Sequence, residues 1–362
     1  MLLPPELIAV ILGHLASGPL TPARRHRLLR LSTASRLFSA LVEHVLLRRA
    51  LVDSDKALRW LEKRTGKEEK RDVIIEAAVV FSAGEEMLDR TKLLTLLAEL
   101  PRLHRFSIEY KPTRYAWERL KVESALLERV NWAALTHLHL TNTSLDFPSP
   151  SLPILLSLLS LSLTESRLTL SPPSSSPSYT GALLPLSSFP SLTTLAVRDA
   201  REIDHVRLPY VRPAVYLPRH FLPFLRDEAP KLREIVLDPL LLQRIHRREL
   251  KHLLEELEKA AEGEKGVKVV WEFGVDVSPS EAQSALLEWT IRTRIEHLRL
   301  GRAVYVEIFL GLVASPAEGQ QFARLKSVTV EGETLDRTMW EAVRWLGEKK
   351  GFEVHCEVKE EE

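Results

Sequence analysis

The sequence predicts an α/β fold, in which an all-helical N-terminal module precedes an irregular solenoid of short strands and helices. Two observations predict it. The first fifty or so residues space their apolar side chains three and four apart, as on one face of a helix. The remainder repeats a six-residue phrase: an aliphatic residue, two variable residues, an apolar one, a variable one and an aliphatic one. We therefore place the helical module at residues 1–52 and the solenoid at residues 53–362.

Composition narrows the classes of partner. The 362 residues include 66 leucines, and a surplus of this size is typical of repeat proteins. The 50 basic and 49 acidic groups leave a net charge of +1, which provides no field to attract nucleic acid or an anionic membrane. The apolar run at residues 152–163 is broken by Ser157, Ser160 and Ser162 and is shorter than the ~20 residues that span a bilayer. We expect neither nucleic acid nor a membrane as a partner.

Cys356 is the single cysteine, which excludes an intrachain disulfide and a cysteine-rich zinc site. A reducing compartment, cytoplasmic or nuclear, is the simplest expectation. Cys356 follows His355 in a predicted closing strand, where neighbouring side chains face opposite ways. We expect a buried structural thiol at this position.

The helical module begins with an apolar stripe that runs from Leu7 to Leu15 behind Pro4 and Pro5. A second apolar cluster between residues 28 and 46 predicts one or two further helices. Their apolar stripe is too wide for isolated helices in water, so these helices must pack against something.

The solenoid is predicted from seven copies of the phrase, whose apolar residues we expect to point into the core. Longer intervals carry helical patterns near residues 85–100, 115–130, 250–257, 278–289 and 336–350. An additional strand is predicted from Val267 to Phe273. The seven phrases are Leu103, Phe106, Ile108; Leu135, Leu138, Leu140; Leu158, Leu161, Leu163; Leu192, Leu195, Val197; Leu232, Ile235, Leu237; Ile295, Leu298, Leu300; and Leu325, Val328, Val330.

A segment of Ser and Pro interrupts the repeats. Residues 171–178 are all Ser or Pro, a composition that buries too little apolar surface to offset the entropy of ordering. We expect a disordered insertion near residues 171–185.

The N-terminal module resembles the F-box, the helical module by which substrate receptors of Skp/cullin/F-box ubiquitin ligases bind a Skp-type adaptor. The opening Leu-Pro-Pro-Glu-Leu-Ile at residues 3–8 and the Ser-Arg-Leu-Phe at residues 35–38 are the matching segments. The resemblance implies an adaptor-binding stripe of Leu3, Pro4, Glu6, Leu7, Ile8, Ile11, Leu12, Leu15, Leu31, Phe38 and Leu41.

The phrases resemble an irregular leucine-rich repeat, the kind of solenoid that often follows an F-box. This order of modules implies the substrate-recognition subunit of a Skp/cullin/F-box-type E3 ubiquitin ligase, which selects proteins for ubiquitin-dependent degradation. An alternative stays open on physical grounds, because solenoids need capping elements. In that case the N-terminal helices cap the repeats of a protein-interaction scaffold outside any ligase.

The variable residues of each phrase alternate with the aliphatic ones, so we expect them on the outward face of the sheet. They carry both charge signs, which suits recognition of a protein segment. The expected contacts with an unidentified protein target are Arg105, Glu109, His137, His139, Arg198, Glu234, Asp238, His297, Arg299 and Glu331.

His137 and His139 share one face of a predicted strand, and His297 falls in the same column as His137. Metal ligation needs three or four converging ligands, and the phrase supplies no Cys, Asp or Glu beside them. We expect no metal here, and two readings remain for the pair: partner contacts or solvated histidines. No motif of a known catalytic or cofactor site is present, so we expect no cofactor, no catalytic residue and no enzymatic activity.

Overall fold

A computed structural model describes part of the chain in two compact units. Unit 1 comprises residues 1–158, 166–184 and 362, and unit 2 comprises residues 159–165 and 185–361. The described residues are 22–33, 36–66, 71, 73–82, 96, 100–111, 120–122, 132–148, 155–164, 166–171, 182–183, 189–198, 231–238, 247–263, 266–273, 294–314, 322–331 and 337–357.

Three helices lie in the first part of unit 1: α1 (Pro22–Ser32), α2 (Arg36–Arg48) and α3 (Asp55–Thr65). The first two confirm the helical prediction for residues 28–46. The third is capped at its N-terminus by Ser54, whose Oγ accepts a hydrogen bond of 3.3 Å from the backbone N–H of Ala57. Such a cap satisfies one of the N–H groups that a helix leaves without a partner.

Unit 1 contains two sheets. The strands of unit 1 are β1 (Arg49–Val52), β2 (Glu76–Ser82), β3 (Arg105–Lys111), β4 (Leu120–Val122), β5 (His137–Thr141), β6 (Thr143–Pro148), β8 (Arg167–Ser171) and β9 (Ala182–Leu183). In the first sheet, β1, β2, β3 and β5 pair side by side in parallel, in that order. In the second sheet, β4, β6 and β8 pair in parallel, and β9 pairs with β8 in the antiparallel sense.

Asn142 turns the chain from β5 into β6 and so from one sheet into the other. Its φ of 51° lies in the left-handed region, which Asn tolerates better than most residues. The buried side chain donates from Nδ2 to the carbonyl oxygen of Tyr110 at 2.9 Å, while the Asn142 carbonyl accepts from the N–H of Leu120. One residue therefore connects both sheets of unit 1.

In unit 2 the described strands form a parallel sheet in which each strand pairs with the next strand of that unit along the chain. This is the arrangement of a solenoid, in which each repeat pairs with the next. The strands are β7 (Ser160–Thr164), β10 (Thr194–Arg198), β11 (Glu234–Leu237), β12 (Lys268–Phe273), β13 (His297–Leu300), β14 (Ser327–Glu331) and β15 (Glu353–Glu357).

The seven phrases are confirmed as the source of the core. Each phrase ends on one of the strands, and all twenty-one apolar residues of the seven phrases are buried. The most exposed of them is Leu325, at 8%. The period of two along each strand places them on one face, where neighbouring strands bring them into continuous apolar columns. A mixed α/β fold of repeated parallel strands is therefore confirmed.

The described residues of unit 2 include the helices α4 (Arg247–Glu262), α5 (Ala303–Ala314) and α6 (Arg337–Lys350). The patterns at 250–257 and 336–350 predicted α4 and α6, whereas α5 went unrecognised. Its sequence is apolar on nearly every side and so lacks the 3.6-residue period of a surface helix. Phe309 of this helix lies edge-on to the rings of Phe322 and Phe352, with ring centroids 5.6 and 6.1 Å apart.

Some expectations fall outside the described residues. The helical patterns at 115–130 and 278–289, nearly all of the one at 85–100, and most of the Ser/Pro insertion at 171–185 belong to this group. In the part of the chain that is described, we find no helix with the length and apolar character needed to cross a bilayer.

Two expectations need correction. Cys356, which we expected to be buried, is exposed. Cys356 lies on β15, the last strand in the pairing order. Among the described strands β15 has a neighbour, β14, on one side only. Residues 49–52, which we assigned to the helical module, form strand β1 of the sheet, so the module ends before residue 52. Helices α1 and α2 and this strand belong to the same unit.

Candidate protein-binding surface

The face of the sheet opposite the core, which we call the outward face, carries a row of ionisable side chains in unit 1. The strand register aligns Arg49, Glu76, Arg105 and His137 across four strands. Arg49 and Glu76 form a two-pronged ion pair, with Nε to Oε2 at 2.9 Å and Nη2 to Oε1 at 3.0 Å. Arg105 is exposed and has no ion pair among the described residues.

His137 is held largely neutral by its surroundings. Burial of the ring lowers its pKa, and the nearby Arg105 cation lowers it further, against a smaller opposing effect of Glu76. Its Nδ1 lies 2.9 Å from the hydroxyl of Thr136. A neutral imidazole beside Arg105 leaves the guanidinium as the dominant charge at this point of the surface.

We name the outward residues of β3 and β5 the open patch. Arg105 and His139 are exposed, and the other members are half-buried. Glu109 lies 3.7 Å from the ammonium of Lys111, so one carboxylate of the patch is already paired. The patch combines a cation, an anion and hydrogen-bonding groups, and its members are Arg105, Ser107, Glu109, His137 and His139.

Beside the ion-paired Arg49 and Glu76, the outward face of β1 and β2 carries apolar side chains, which form one cluster with side chains of α1 and α2. Leu51 lies on β1, whereas Ala78 and Val80 lie on β2. We name this packing the helix–sheet cluster, and in it three residues of α1 and α2 are buried together with Leu51. Its members are Leu28, Val42, Leu46 and Leu51, with the partly buried Leu31, Phe38, Leu41, Trp60, Ala78 and Val80 packed against them.

Three residues expected in the adaptor stripe belong to this cluster. Leu31, Phe38 and Leu41 are half-buried and pack against the buried members of the cluster, of which Leu51 lies on β1. The contacts are those that a capping module would make, which favours the alternative left open by the sequence. The remaining stripe residues, Leu3, Pro4, Glu6, Leu7, Ile8, Ile11, Leu12 and Leu15, lie outside the described residues.

The outward face of unit 2 contains a charged cluster around Glu272, which we call the Glu272 cluster. Arg198 donates from Nε to one carboxylate oxygen of Glu272, and Arg299 lies 3.4 Å from the other. Arg198 also donates from Nη1 to the hydroxyl of Ser162 at 2.8 Å. Arg198 and Arg299 thus lie on the expected face, but both guanidinium groups engage a carboxylate of the same chain.

Glu272 stays ionised although it is buried. Burial alone would raise its pKa, but the guanidinium groups of Arg198 and Arg299 outweigh that effect, and the net pKa lies below the ordinary range of glutamate. The sequence contained a signal for this residue. The strand from Val267 to Phe273 was predicted, and Glu272 takes the outward position beside Arg299 in the register.

The centre of this face is closed to a partner. Ala196, Val236 and Val270 form a buried apolar cluster on three adjacent strands, because their short aliphatic side chains align on the outward side. Asp238 directly follows β11 and is only 2% exposed. The expectation that Asp238 contacts a target is therefore wrong for this structure. It assumed that every outward position is also a solvent-exposed one.

The remaining expected contacts in unit 2 differ in accessibility. Glu234 is half-buried, and the side chain of Glu331 lies outside the described residues. His297 is half-buried, with Nδ1 at 2.8 Å from the hydroxyl of Ser327. Burial and the charge of Lys268 lower the pKa of His297, while Glu296 opposes them.

Within the described residues, no three His, Cys, Asp or Glu side chains converge as metal ligands would. His137 and His139 lie on one face of β5, as expected. Each contacts a threonine hydroxyl: Thr136 at 2.9 Å and Thr141 at 3.2 Å, respectively.

Comparison with known proteins adds no family to these observations. No protein-family model matches the chain, and no curated protein matches it either.

Proposed function

We propose that this protein is a substrate-recognition subunit of a Skp/cullin/F-box-type ubiquitin ligase. Its N-terminal residues bind a Skp-type adaptor, and its repeats bind a protein target. It carries out no covalent step itself. Its contribution to the rate is proximity, since it holds the target close to a ubiquitin-charged enzyme.

One observation carries the target-binding half of the proposal. The outward face of unit 1 is divided: its own helices cover β1 and β2, whereas β3 and β5 present the open patch. A surface with exposed Arg105 and His139 and the half-buried Glu109 offers charges of both signs and directional hydrogen bonds. Such groups give a protein interface its specificity and register.

The adaptor-binding half rests on the N-terminal motif. The opening Leu-Pro-Pro-Glu-Leu-Ile stands before two helices, α1 and α2, of the length expected for the module. A helical piece of some fifty residues buries little surface by itself. Its apolar stripe therefore requires a partner, and docking of apolar helices into a groove of the adaptor suits it.

A specific observation favours a second candidate function. The helix–sheet cluster shows α1 and α2 packed on the first strands of the repeats, as in a scaffold whose N-terminal helices serve only as a cap. Such a scaffold binds proteins through the open patch but has no affinity for a Skp-type adaptor.

Co-purification with a Skp-type adaptor separates the two. We expect the wild-type protein to retain purified adaptor on a column, and a Leu7→Asp, Leu15→Asp double variant to lose it, because two buried carboxylates would face an apolar groove. Leu29→Asp is the matched control. This leucine of α1 is 42% exposed and lies outside the expected stripe, so the variant should bind like wild type.

Circular dichroism accompanies the binding measurement. A double variant that loses both the adaptor and its native spectrum has lost a cap, which supports the scaffold. Equal retention of the adaptor by wild type and double variant, or no retention by either, contradicts the ligase function.

A further inference from the structure

The helix–sheet cluster occupies side chains that the adaptor would need. Leu31, Phe38 and Leu41 are half-buried and pack against the same cluster as Ala78 and Val80 of the sheet. Their neighbours Leu28, Val42 and Leu46 are buried outright. The part of each side chain that this packing covers is not available to a second partner, so the two sets of contacts compete for it.

We propose that α1 and α2 form an autoinhibitory latch on strands β1 and β2, and that binding of the Skp-type adaptor requires their release. The inference rests on the proposed function. It adds that the unbound receptor is predominantly closed, so that adaptor binding is coupled to a conformational change inside unit 1.

The chemistry of the contact suits a reversible latch. On the sheet side the partners are Leu51, Ala78 and Val80, and Trp60 of α3 packs against the same cluster. Ala78 and Val80 remain half-buried rather than fully enclosed. The members of the cluster are all apolar, so an apolar groove on another protein can compete for them.

Competition of this kind has a measurable consequence. If only a fraction of the receptor is released at any moment, the apparent dissociation constant for the adaptor equals the intrinsic one divided by that fraction. Weakening the latch without touching the adaptor-binding residues should therefore tighten adaptor binding. A latch that is closed nine times in ten predicts an increase in affinity of about tenfold.

Ala78→Asp is the test variant, because it places a carboxylate on the outward face beneath the helices. Thr329→Asp is the matched control. Thr329 is a half-buried outward residue of β14 in unit 2, and it belongs neither to the helix–sheet cluster nor to the open patch. Trp60→Ala is a second variant that weakens the same packing by truncation, in case the buried carboxylate disturbs folding.

Two measurements on the full chain are needed. Hydrogen exchange should show faster exchange of α1 and α2 amides in Ala78→Asp and Trp60→Ala than in wild type and Thr329→Asp. Binding to immobilised Skp-type adaptor should be about tenfold tighter for the first pair, with Thr329→Asp matching wild type.

The outcomes distinguish the latch from the function on which it depends. Equal adaptor affinity of wild type, Ala78→Asp and Trp60→Ala overturns the latch and leaves the ligase function standing. If none of the three binds the adaptor, even with α1 and α2 exchanging rapidly, both proposals fail. Weaker binding in the two loosened variants also overturns the latch, because it would mean that the sheet supports the helices in the bound state.

Discussion

Glu272 shows how one carboxylate decides the role of two arginines. Arg198 and Arg299 both contact its oxygens. The sequence analysis assigned these two guanidinium groups to a target, but each contacts a carboxylate of its own chain. We predict that Glu272→Gln destabilises the protein by about 2–4 kcal/mol, because it leaves two partly buried cations without their anion. Urea unfolding measures this difference. Glu109→Gln should cost about 0.5 kcal/mol or less, since that ion pair is exposed to solvent.

The pH dependence of the same variant checks the cause. The pKa of Glu272 is lower in the folded protein than in the unfolded chain, so the folded state binds this proton more weakly. The stabilisation is then complete above the unfolded pKa of about 4.3 and is lost as the pH falls through the lower folded value. The stability difference between wild type and Glu272→Gln should shrink below about pH 4. A difference that is constant with pH would assign the effect to packing instead.

At the scale of elements, α6 and β15 approach one another unusually closely. A Cβ built on Gly347 would lie 2.7 Å from Cγ2 of Val354 and 2.8 Å from the carbonyl oxygen of Phe352. We predict that Gly347→Ala destabilises the protein by about 1–3 kcal/mol, because helix and strand must move apart. The midpoint of thermal or urea unfolding reports the change.

Gly311 is the matched control for this prediction. It lies inside α5, and a Cβ added there would meet no atom within 4 Å. Gly311→Ala should stabilise the protein by about 0.5–1 kcal/mol, since alanine favours a helix interior over glycine. If both substitutions destabilise equally, the close approach of α6 to β15 is not the cause.

For the whole molecule, the two proposed binding activities involve different surfaces. In our proposal the adaptor binds the N-terminal helices, and the target binds the open patch on β3 and β5. We predict that the double variant Arg105→Glu, His139→Glu loses target ubiquitylation in a reconstituted ligase, because it reverses the main charge of the patch, while adaptor retention stays unchanged.

Lys268→Glu provides the comparison for this charge reversal. Lys268 is exposed on the outward side of β12 in unit 2 and is not a member of the open patch. Its ubiquitylation level should equal that of wild type. If Lys268→Glu abolishes target ubiquitylation and the Arg105, His139 double variant does not, the target surface lies in unit 2.

The predicted and observed strands agree because each aliphatic position of the phrase corresponds to a buried residue of the structure. An aliphatic residue at each inward position loses contact with water wherever the repeats stack, so the period of two is visible without any knowledge of neighbours. The same reasoning failed for α5, because its residues are apolar on nearly every side and so show no helical period. It also failed for Cys356, which lies on the last strand of the pairing order. The outward residues were placed on the correct face, but their accessibility was not predicted.

The sequence by itself determined the mixed α/β class, the repeated strands and the inward apolar columns, because these follow from local spacing along the chain. Only the tertiary structure decided which outward residues are available to a partner. That property depends on what lies opposite: α1 and α2 cover β1 and β2, Glu272 engages Arg198 and Arg299, and Asp238 is buried. These contacts join residues far apart in the chain, and their pairing follows from strand register and helix docking rather than from any local pattern.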